Sequence, residues 1–80
     1  MKEVLLENID RIHTTEMGVG RIQKNLGITD EPVSYCISKL KQENSTVAKE
    51  GKNYYVDVDD CIITINSSSF TIITAHKKRN

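Results

Sequence analysis

The amino-acid sequence predicts an α+β fold in which three N-terminal helices precede a four-stranded antiparallel β-meander. The first part of the chain carries apolar side chains at helical spacing, whereas from Thr46 onward the apolar pattern changes to a period of two. The connections between the alternating segments are short, which favours antiparallel pairing, because a parallel connection needs a dozen or more residues. With 80 residues, the chain is predicted to form a single domain spanning residues 1–80 with one core.

The three helices are predicted from apolar residues that recur every three or four positions. Thr14 or Thr15 is suited to cap the second helix, Gly27 is suited to end it, and Pro32 is suited to the first turn of the third. The predicted ranges are 2–13, 16–26 and 30–43. The apolar stripes are Leu5, Ile9 and Ile12, then Val19, Ile22 and Leu26, then Val33, Cys36, Ile37 and Leu40.

The strands are predicted from alternating or β-branched runs that are bounded by turn residues. Their predicted ranges are 46–50, 53–58, 61–66 and 70–76. Gly51 with Lys52, Asp59 with Asp60, and three serines after Asn66 form the predicted turns. The last two runs carry apolar residues at adjacent positions, which indicates central strands or a sheet that is covered on both sides.

The charge balance and the cysteines limit the classes of function. The 11 basic and 11 acidic residues cancel, so no net charge steers the whole chain toward nucleic acid or membrane. Lys77, Lys78 and Arg79 end the chain as a basic, solvated tail. Cys36 and Cys61 each lie in an apolar run, which predicts buried free thiols in a reducing compartment. The acidic N-terminus does not fit a signal peptide, and no apolar run approaches the ~20 residues of a membrane span. We therefore expect a cytoplasmic protein without a membrane partner.

The segment GRIQKNLGITDEPVSYCISKLKQEN, from Gly20 to Asn44, resembles a helix-turn-helix, and AKEGKNYYV after it resembles the wing of a winged-helix domain. This resemblance implies DNA binding, with the second helix in the major groove and the wing on phosphate. Asp30 and Glu31 open the would-be recognition helix and oppose such binding, because their carboxylates would face the phosphates. A sheet of four strands would exclude the interpretation, because a wing is a two-stranded hairpin.

A second resemblance covers nearly the whole chain. The strings ENIDRIHTTEMGVGRIQKNL, GKNYYV and ITINSSSFTIITAHK are similar to a family of short bacterial proteins of unassigned function. More loosely, helices followed by an antiparallel sheet whose last strand reads TIITAH are similar to the barnase–EndoU–colicin–RelE-like ribonuclease superfamily. Many members of that superfamily cut RNA without a metal, so the resemblance implies an RNA-directed domain with a ribonuclease-like fold.

RNA cleavage without a metal needs a base, an acid and a cation or hydrogen-bond donor. The two histidines, His13 and His76, are predicted at the ends of elements, and Thr74 shares the sheet face of His76. With Arg21 from the second helix, these residues form the candidate catalytic set. A separation of more than about 10 Å between the histidines, with no basic residue between them, would exclude a joint role, because general acid–base groups must both reach the reacting phosphate.

Other side chains are candidates for contacting nucleic acid or a partner. A tyrosine on the free side of its strand can stack on a base, and lysines can bind phosphate. These candidates are Lys24, Lys52, Tyr55, Lys77 and Lys78. His13 and Glu16 have the spacing of two metal ligands, but no cysteine or histidine pair accompanies them, so neither metal nor cofactor is expected. The remaining alternative is a non-catalytic interaction domain that forms a homodimer through an exposed edge strand.

Overall fold

A computed structural model describes residues 1–78, and its elements follow the predicted order. The α+β class, with N-terminal helices followed by a four-stranded antiparallel sheet, is confirmed. Arg79, the last residue of the predicted basic tail, lies outside the described residues, as does Asn80. The elements are α1 (Lys2–Glu7), a 3-10 turn (Ile9–Arg11), α2 (Glu16–Leu26), α3 (Pro32–Leu40), β1 (Thr46–Glu50), β2 (Asn53–Val58), β3 (Cys61–Asn66) and β4 (Ile72–Lys77).

The first helix is shorter than predicted, and this moves His13. Helix α1 ends at Glu7, where Asn8 turns its side-chain amide back to donate to the Val4 carbonyl at 2.8 Å. An asparagine that bonds the local backbone competes with helix continuation. After the 3-10 turn, Ile12 is extended and His13 forms a parallel bridge with Thr71. His13 therefore lies beside the start of β4, whereas the apolar spacing had predicted that it ends a helix.

Helix α2 has the predicted bounds and caps, but one residue of its predicted apolar face is misplaced. Thr15 accepts a hydrogen bond from the Gly18 N–H at 3.0 Å, and Gly27 ends the helix with a φ of +66°. Gly18 is buried, whereas Val19 is 37% exposed. A Cβ at Gly18 would lie 2.1 Å from Thr14 Oγ1. The absence of a side chain at Gly18 thus lets α2 approach the preceding chain closely.

Helix α3 begins and ends inside its predicted range. Its N-cap is Glu31, whose carboxylate accepts from the backbone N–H groups of Val33 at 2.6 Å and Ser34 at 3.3 Å. The helix ends at Leu40, whose carbonyl accepts from the buried Ser45 hydroxyl at 2.7 Å. The positive end of the helix dipole stabilises the negative charge of this carboxylate. It also leaves negative charge where a recognition helix would approach phosphate.

The sheet is a meander in the order β1-β2-β3-β4, so β2 and β3 are central and β4 is an edge strand. One face packs against the helices, with α2 on β4, α3 on β2 and α1 on β1. The side chains that this face buries are Tyr54, Val56, Val58, Cys61, Ile63, Ile65, Ile72 and Ala75. The opposite face is mostly exposed or half-buried, so the sheet is covered on one side only. The residues of this open face are Thr46, Ala48, Tyr55, Asp57, Ile62, Thr64, Thr74 and His76.

The sheet topology contradicts the winged-helix interpretation. Strands β1 and β2, which were compared to a wing, form half of a continuous four-stranded sheet. The last strand begins at Ile72 and not at residue 70, because Phe70 adopts a left-handed φ of +59° that a strand does not allow. No helix formed by residues 1–78 is long and apolar enough to cross a membrane.

Candidate functional site

The structure does not bring the two histidines together. His13 bridges Thr71 just before β4, whereas His76 pairs with Ile62 near the other end of β4. His76 pairs with Ile62 and Ile72 pairs with Ile65, so three steps of β3 and the step from Ile72 to Thr71 separate Thr71 from His76. This corresponds to about 13 Å at the ~3.3 Å rise of a strand. This exceeds the limit of about 10 Å for groups acting on one phosphate. The structure therefore separates His13 from His76, the two histidines of the predicted catalytic set.

The other candidates are spread over three surfaces. Thr74 and the exposed His76 lie on the open sheet face, and so does the half-buried Tyr55. Arg21 and Lys24 are exposed on α2, and among residues 1–78 no hydrogen bond or ion pair joins either of them to His13.

The three remaining lysine candidates lie at opposite ends of the sheet. Lys77 is exposed at the end of β4, and Lys78 forms an ion pair with Asp57 next to it. Lys52 is exposed in the β1–β2 turn at the other end, where its carbonyl accepts from the Ser67 N–H at 2.8 Å. That bond places the Lys52 turn directly beside the loop that joins β3 to β4.

The surroundings of His13 form the most connected group of polar side chains near a candidate residue. The His13 backbone bonds both sides of Thr71, through the Phe70 carbonyl at 3.3 Å and the Ile72 N–H at 2.7 Å. Its ring Nδ1 lies 2.7 Å from the Arg11 carbonyl, and its Nε2 lies 3.1 Å from Thr71 Oγ1. The ring is thus fixed through both nitrogens, although the side chain is exposed to solvent.

The 66–71 loop holds Thr71 in place through the side chain of Asn66. Asn66 Oδ1 accepts from the backbone N–H groups of Ser68 at 2.9 Å and Ser69 at 3.0 Å, which makes a compact Asx turn. The Phe70 N–H donates to the Asn66 carbonyl at 2.9 Å, and Phe70 adopts a φ of +59°. This left-handed conformation costs roughly 1–2 kcal/mol for a residue with a Cβ. Burial of the Phe70 ring, which is 5% exposed, offsets that cost.

Arg11 lies across the same loop. Its guanidinium carbon is 4.6 Å from the centre of the Phe70 ring, and its Nη2 donates to the Ser68 carbonyl at 3.4 Å. A guanidinium has five N–H donors, so this single contact leaves most of them directed at solvent. We call Arg11, His13 and the 66–71 loop the loop-end surface. It combines a held cation, a held imidazole and several hydroxyl groups.

The hydrogen bonds assign the tautomer of neutral His13. A carbonyl can only accept, so Nδ1 carries the proton that bonds the Arg11 carbonyl. Nε2 is then an acceptor, and the Thr71 hydroxyl must donate to it. The Ser69 Oγ lies 2.7 Å from Thr71 Oγ1 and 3.2 Å from Asn66 Oδ1, and the Ser69 hydroxyl can give its one proton to either oxygen. Neutral His13 therefore presents the basic nitrogen to a hydroxyl group, which is the arrangement that general-base chemistry requires.

The buried thiols offer no competing nucleophile. Burial raises the pKa of Cys36 to about 12, and burial also raises the pKa of Cys61. Both cysteines are free, so at neutral pH they remain protonated and unreactive. Residues 1–78 contain no group of three or more His, Cys, Asp or Glu side chains placed to hold a metal ion, and they enclose no pocket. The loop-end surface is thus an open surface.

Sequence reasoning found His13 and Lys52 but missed Arg11, Asn66, Ser69 and Thr71. The missed loop residues lie inside the string ITINSSSFTIITAHK, which carried the family resemblance. An asparagine followed by three serines is typical of an Asx turn and was the available signal. The contact of Arg11 with this loop spans 57 positions of sequence, and no local pattern predicts it.

The fold and this surface define a small α+β domain with one open sheet face and a histidine–arginine surface at the sheet's end. The chain belongs to the family described as "Protein of unknown function (DUF3781)", whose profile matches residues 6–76. No curated protein matches this chain, and no solved structure matches it. The family match agrees with the resemblance to short proteins of unassigned function, whereas the looser resemblance to ribonucleases receives no support.

Proposed function

We propose that this protein is an RNA-directed domain that binds single-stranded RNA at the loop-end surface and cleaves it without a metal. The observation that carries the proposal is the joint placement of His13 and Arg11. His13 directs Nε2 at a hydroxyl group 3.1 Å away, and Arg11 is held over the Phe70 ring of the same loop. In this proposal His13 is the base and Arg11 is the cation. Cleavage uses the loop-end surface alone, without His76, Thr74 or Arg21.

Arg11 suits a phosphate for two reasons. Its guanidinium is fixed by the Phe70 ring and the Ser68 carbonyl, so less side-chain freedom is lost on binding. None of the ion pairs found among residues 1–78 engages it, so its charge is available to an anion. Lys52 adds a second exposed cation in the turn whose backbone bonds the 66–71 loop, which favours a backbone with repeated negative charges over a single anion.

His13 suits a ribose. The Thr71 hydroxyl donates to Nε2 in the neutral tautomer, and a ribose 2′-hydroxyl is the same donor group on a nucleic acid. A 2′-hydroxyl in that position would give its proton to His13 as its oxygen attacks the adjacent phosphorus, and Arg11 would stabilise the added negative charge. The bond from phosphorus to the 5′-oxygen then breaks, and the leaving oxygen takes a proton from water. DNA lacks the 2′-hydroxyl, so the arrangement favours RNA over DNA.

The open sheet face extends this surface. Asn53 is opposite Asn66 in the β2–β3 pair, and its side-chain amide lies 3.5 Å from the hydroxyl of Tyr55. Polar groups therefore continue from the 66–71 loop to an aromatic ring on the open face. A flat surface with one half-exposed ring fits an unpaired base, which can stack where a paired base cannot.

The other candidates have specific obstacles or separate tests. A DNA-binding winged helix lacks its wing, and Glu31 caps the would-be recognition helix with a carboxylate. A homodimer would use β1, which pairs with β2 alone and leaves its outer edge open among residues 1–78. Sedimentation of the purified protein tests that arrangement. The RNA proposal places the protein in the cytoplasm, where RNA is present and the free thiols stay reduced.

The test compares binding and cleavage of a fluorescent single-stranded RNA with binding of the same sequence as DNA. We expect Arg11→Gln to weaken RNA binding by roughly 10- to 100-fold, because a hydrogen bond to a charged group contributes about 1.5–3 kcal/mol. We expect His13→Ala to slow cleavage by about 10²- to 10⁴-fold, the usual contribution of general-base catalysis. Lys41→Gln is the charge-matched control, because Lys41 is exposed where α3 ends.

Three results would contradict the proposal: no binding of RNA by the wild type, equal affinity for RNA and DNA, or equal losses in Arg11→Gln and Lys41→Gln. Binding without cleavage would refute the role of His13 as a base and would retain the binding role of Arg11. All measurements include EDTA, because the proposed reaction uses no metal.

A further inference from the structure

We infer that Thr71 is a nucleophile activated by His13, and that its hydroxyl accepts acyl groups from activated esters. This activity goes beyond RNA binding, because it uses a hydroxyl of the protein itself and needs no nucleic acid. An activated nucleophile needs a base within hydrogen-bond reach and a third group that orients the base. His13 Nε2 lies 3.1 Å from Thr71 Oγ1, and the Arg11 carbonyl lies 2.7 Å from His13 Nδ1. Both requirements are met at one point of the surface.

The direction of the hydrogen bonds favours Thr71 as the group that loses a proton. The Arg11 carbonyl keeps the proton of neutral His13 on Nδ1, so the lone pair of Nε2 faces the Thr71 hydroxyl. Ser69 lies farther along the same chain of hydroxyls, with its Oγ 2.7 Å from Thr71 Oγ1. Its hydroxyl proton cannot reach His13 except through Thr71. Thr71 is thus the hydroxyl that His13 activates, and Ser69 is the neighbouring donor.

Backbone pairing between the two segments holds this arrangement in place. Residues on both sides of Thr71 bond the His13 backbone, through the Phe70 carbonyl and the Ile72 N–H. Thr71 also forms a bridge with His13 and follows Phe70, whose left-handed conformation is set by the Asn66 turn. The two reacting groups therefore meet without a loop closing or a side chain being ordered, which removes much of the entropic cost of bringing them together.

The reaction is a simple acyl transfer. Thr71 Oγ1 attacks the carbonyl carbon of the ester while its proton passes to His13 Nε2. The Ser69 hydroxyl, whose Oγ lies 2.7 Å from Thr71 Oγ1 and 3.2 Å from Asn66 Oδ1, can turn to donate to the tetrahedral oxygen. The bond to the phenolate or thiolate leaving group then breaks, and the proton held by His13 is lost to that leaving group or to water. The product is an ester on Thr71, and His13 returns to its neutral form.

The experiment treats the intact protein with p-nitrophenyl acetate near pH 8 and maps acetylated peptides by mass spectrometry. Lysine amines also react, so hydroxylamine is used to separate esters, which it cleaves, from amides, which it leaves. Thr29 is the internal control, because it is an exposed threonine for which no hydrogen bond to a histidine is found among residues 1–78. We expect Thr71 to form the ester about 100-fold faster than Thr29, at the lower end of general-base contributions.

Two variants distinguish activation from exposure. His13→Ala should reduce the rate of ester formation at Thr71 to the rate at Thr29. Added imidazole should restore the rate, because the backbone of residue 13 still bonds Phe70 and Ile72 in this variant. Thr71→Ser should retain ester formation at position 71, and Thr71→Val should abolish it. Equal rates at Thr71 and Thr29, or an unchanged rate in His13→Ala, would overturn the inference. Neither result depends on RNA, so the RNA proposal stands or fails separately.

Discussion

Replacing Gly18 with alanine tests how closely the start of α2 is packed against β4. The Thr14 hydroxyl donates to the Ile72 carbonyl at 2.9 Å, which ties the start of α2 to β4. A Cβ on residue 18 would lie 2.1 Å from that hydroxyl oxygen and 3.3 Å from the Thr14 Cβ. The alanine methyl group can be accommodated only if Thr14 moves away from Ile72 or the helix shifts outward.

The expected change in the free energy of unfolding is the sum of two destabilising contributions and one stabilising contribution. Loss of the Thr14–Ile72 hydrogen bond costs about 1 kcal/mol. The overlap that remains costs roughly 1–3 kcal/mol, as overpacking usually does. Alanine in place of glycine in a helix returns about 1 kcal/mol. We therefore expect Gly18→Ala to lower the free energy of unfolding by roughly 1–3 kcal/mol, a large part of the stability of a domain of this size.

The same helix supplies a matched control. Gly20 is exposed, and a Cβ built on it meets nothing within 4 Å. Gly20→Ala should therefore raise the free energy of unfolding by about 1 kcal/mol from helix propensity alone. Urea denaturation followed by circular dichroism measures both changes. The midpoints should move in opposite directions, and the slopes should stay equal if the extent of unfolding is unchanged.

A third variant identifies the residue responsible. Thr14→Ala alone loses the hydrogen bond, but in its presence Gly18→Ala should become neutral or stabilising, because the hydroxyl that the new methyl group meets is gone. The reasoning is refuted if Gly18→Ala is as stabilising as Gly20→Ala. It is also refuted if removal of the Thr14 hydroxyl leaves the cost of Gly18→Ala unchanged.

Three further predictions concern a thiol, a loop and a carboxylate. Burial holds the pKa of Cys36 at about 12 against an ordinary 9.0. Between pH 9 and pH 12 this thiol therefore ionises in the unfolded chain but not in the folded one, so the free energy of unfolding falls as pH rises. Urea midpoints at pH 8 and pH 10 should therefore differ in the wild type more than in Cys36→Ala. Asn66→Ala should cost about 1–2 kcal/mol and slow the acylation of Thr71, whereas Asn66→Asp keeps the acceptor oxygens and should lose less of both. Hydrogen bonds from Lys39 and Asn44 lower the pKa of Asp59. The stabilisation that ionised Asp59 contributes is therefore present above its ordinary pKa and is lost as pH falls. If the stability of Asp59→Asn follows that of the wild type from pH 6 to pH 2, this prediction is contradicted.

Local patterns in the sequence were sufficient for the elements and their order. The caps of α2 were predicted at Thr14 or Thr15 and at Gly27, because a hydroxyl that accepts from a free N–H and a glycine with positive φ act within one helical turn. The strands were predicted from alternation, which depends on burial of one face. The errors occurred where a local side-chain bond competed with the pattern, as when Asn8 turned back to Val4 and ended α1 early.

The candidate site was predicted only in part, because its members meet across long separations in sequence. His13 was singled out by its chemistry, but its expected partner, His76, lies near the far end of β4. Its actual partner, Thr71, is 58 positions away. Neither periodicity nor spacing indicates which strand an extended segment will lie beside. That choice depends on where α2 packs.

The sequence by itself determined the class of the fold, the order of its elements and the buried face of β2. These depend on interactions over one turn of helix or two residues of strand, so a periodic pattern is enough to specify them. Only the tertiary structure decided that the sheet keeps one face open, that His13 lies in an extended segment, and that Arg11 and Thr71 join it at the end of the sheet. Those outcomes depend on packing and backbone pairing between segments that are distant in sequence. These interactions form only when the chain folds, so no local pattern in the sequence specifies them.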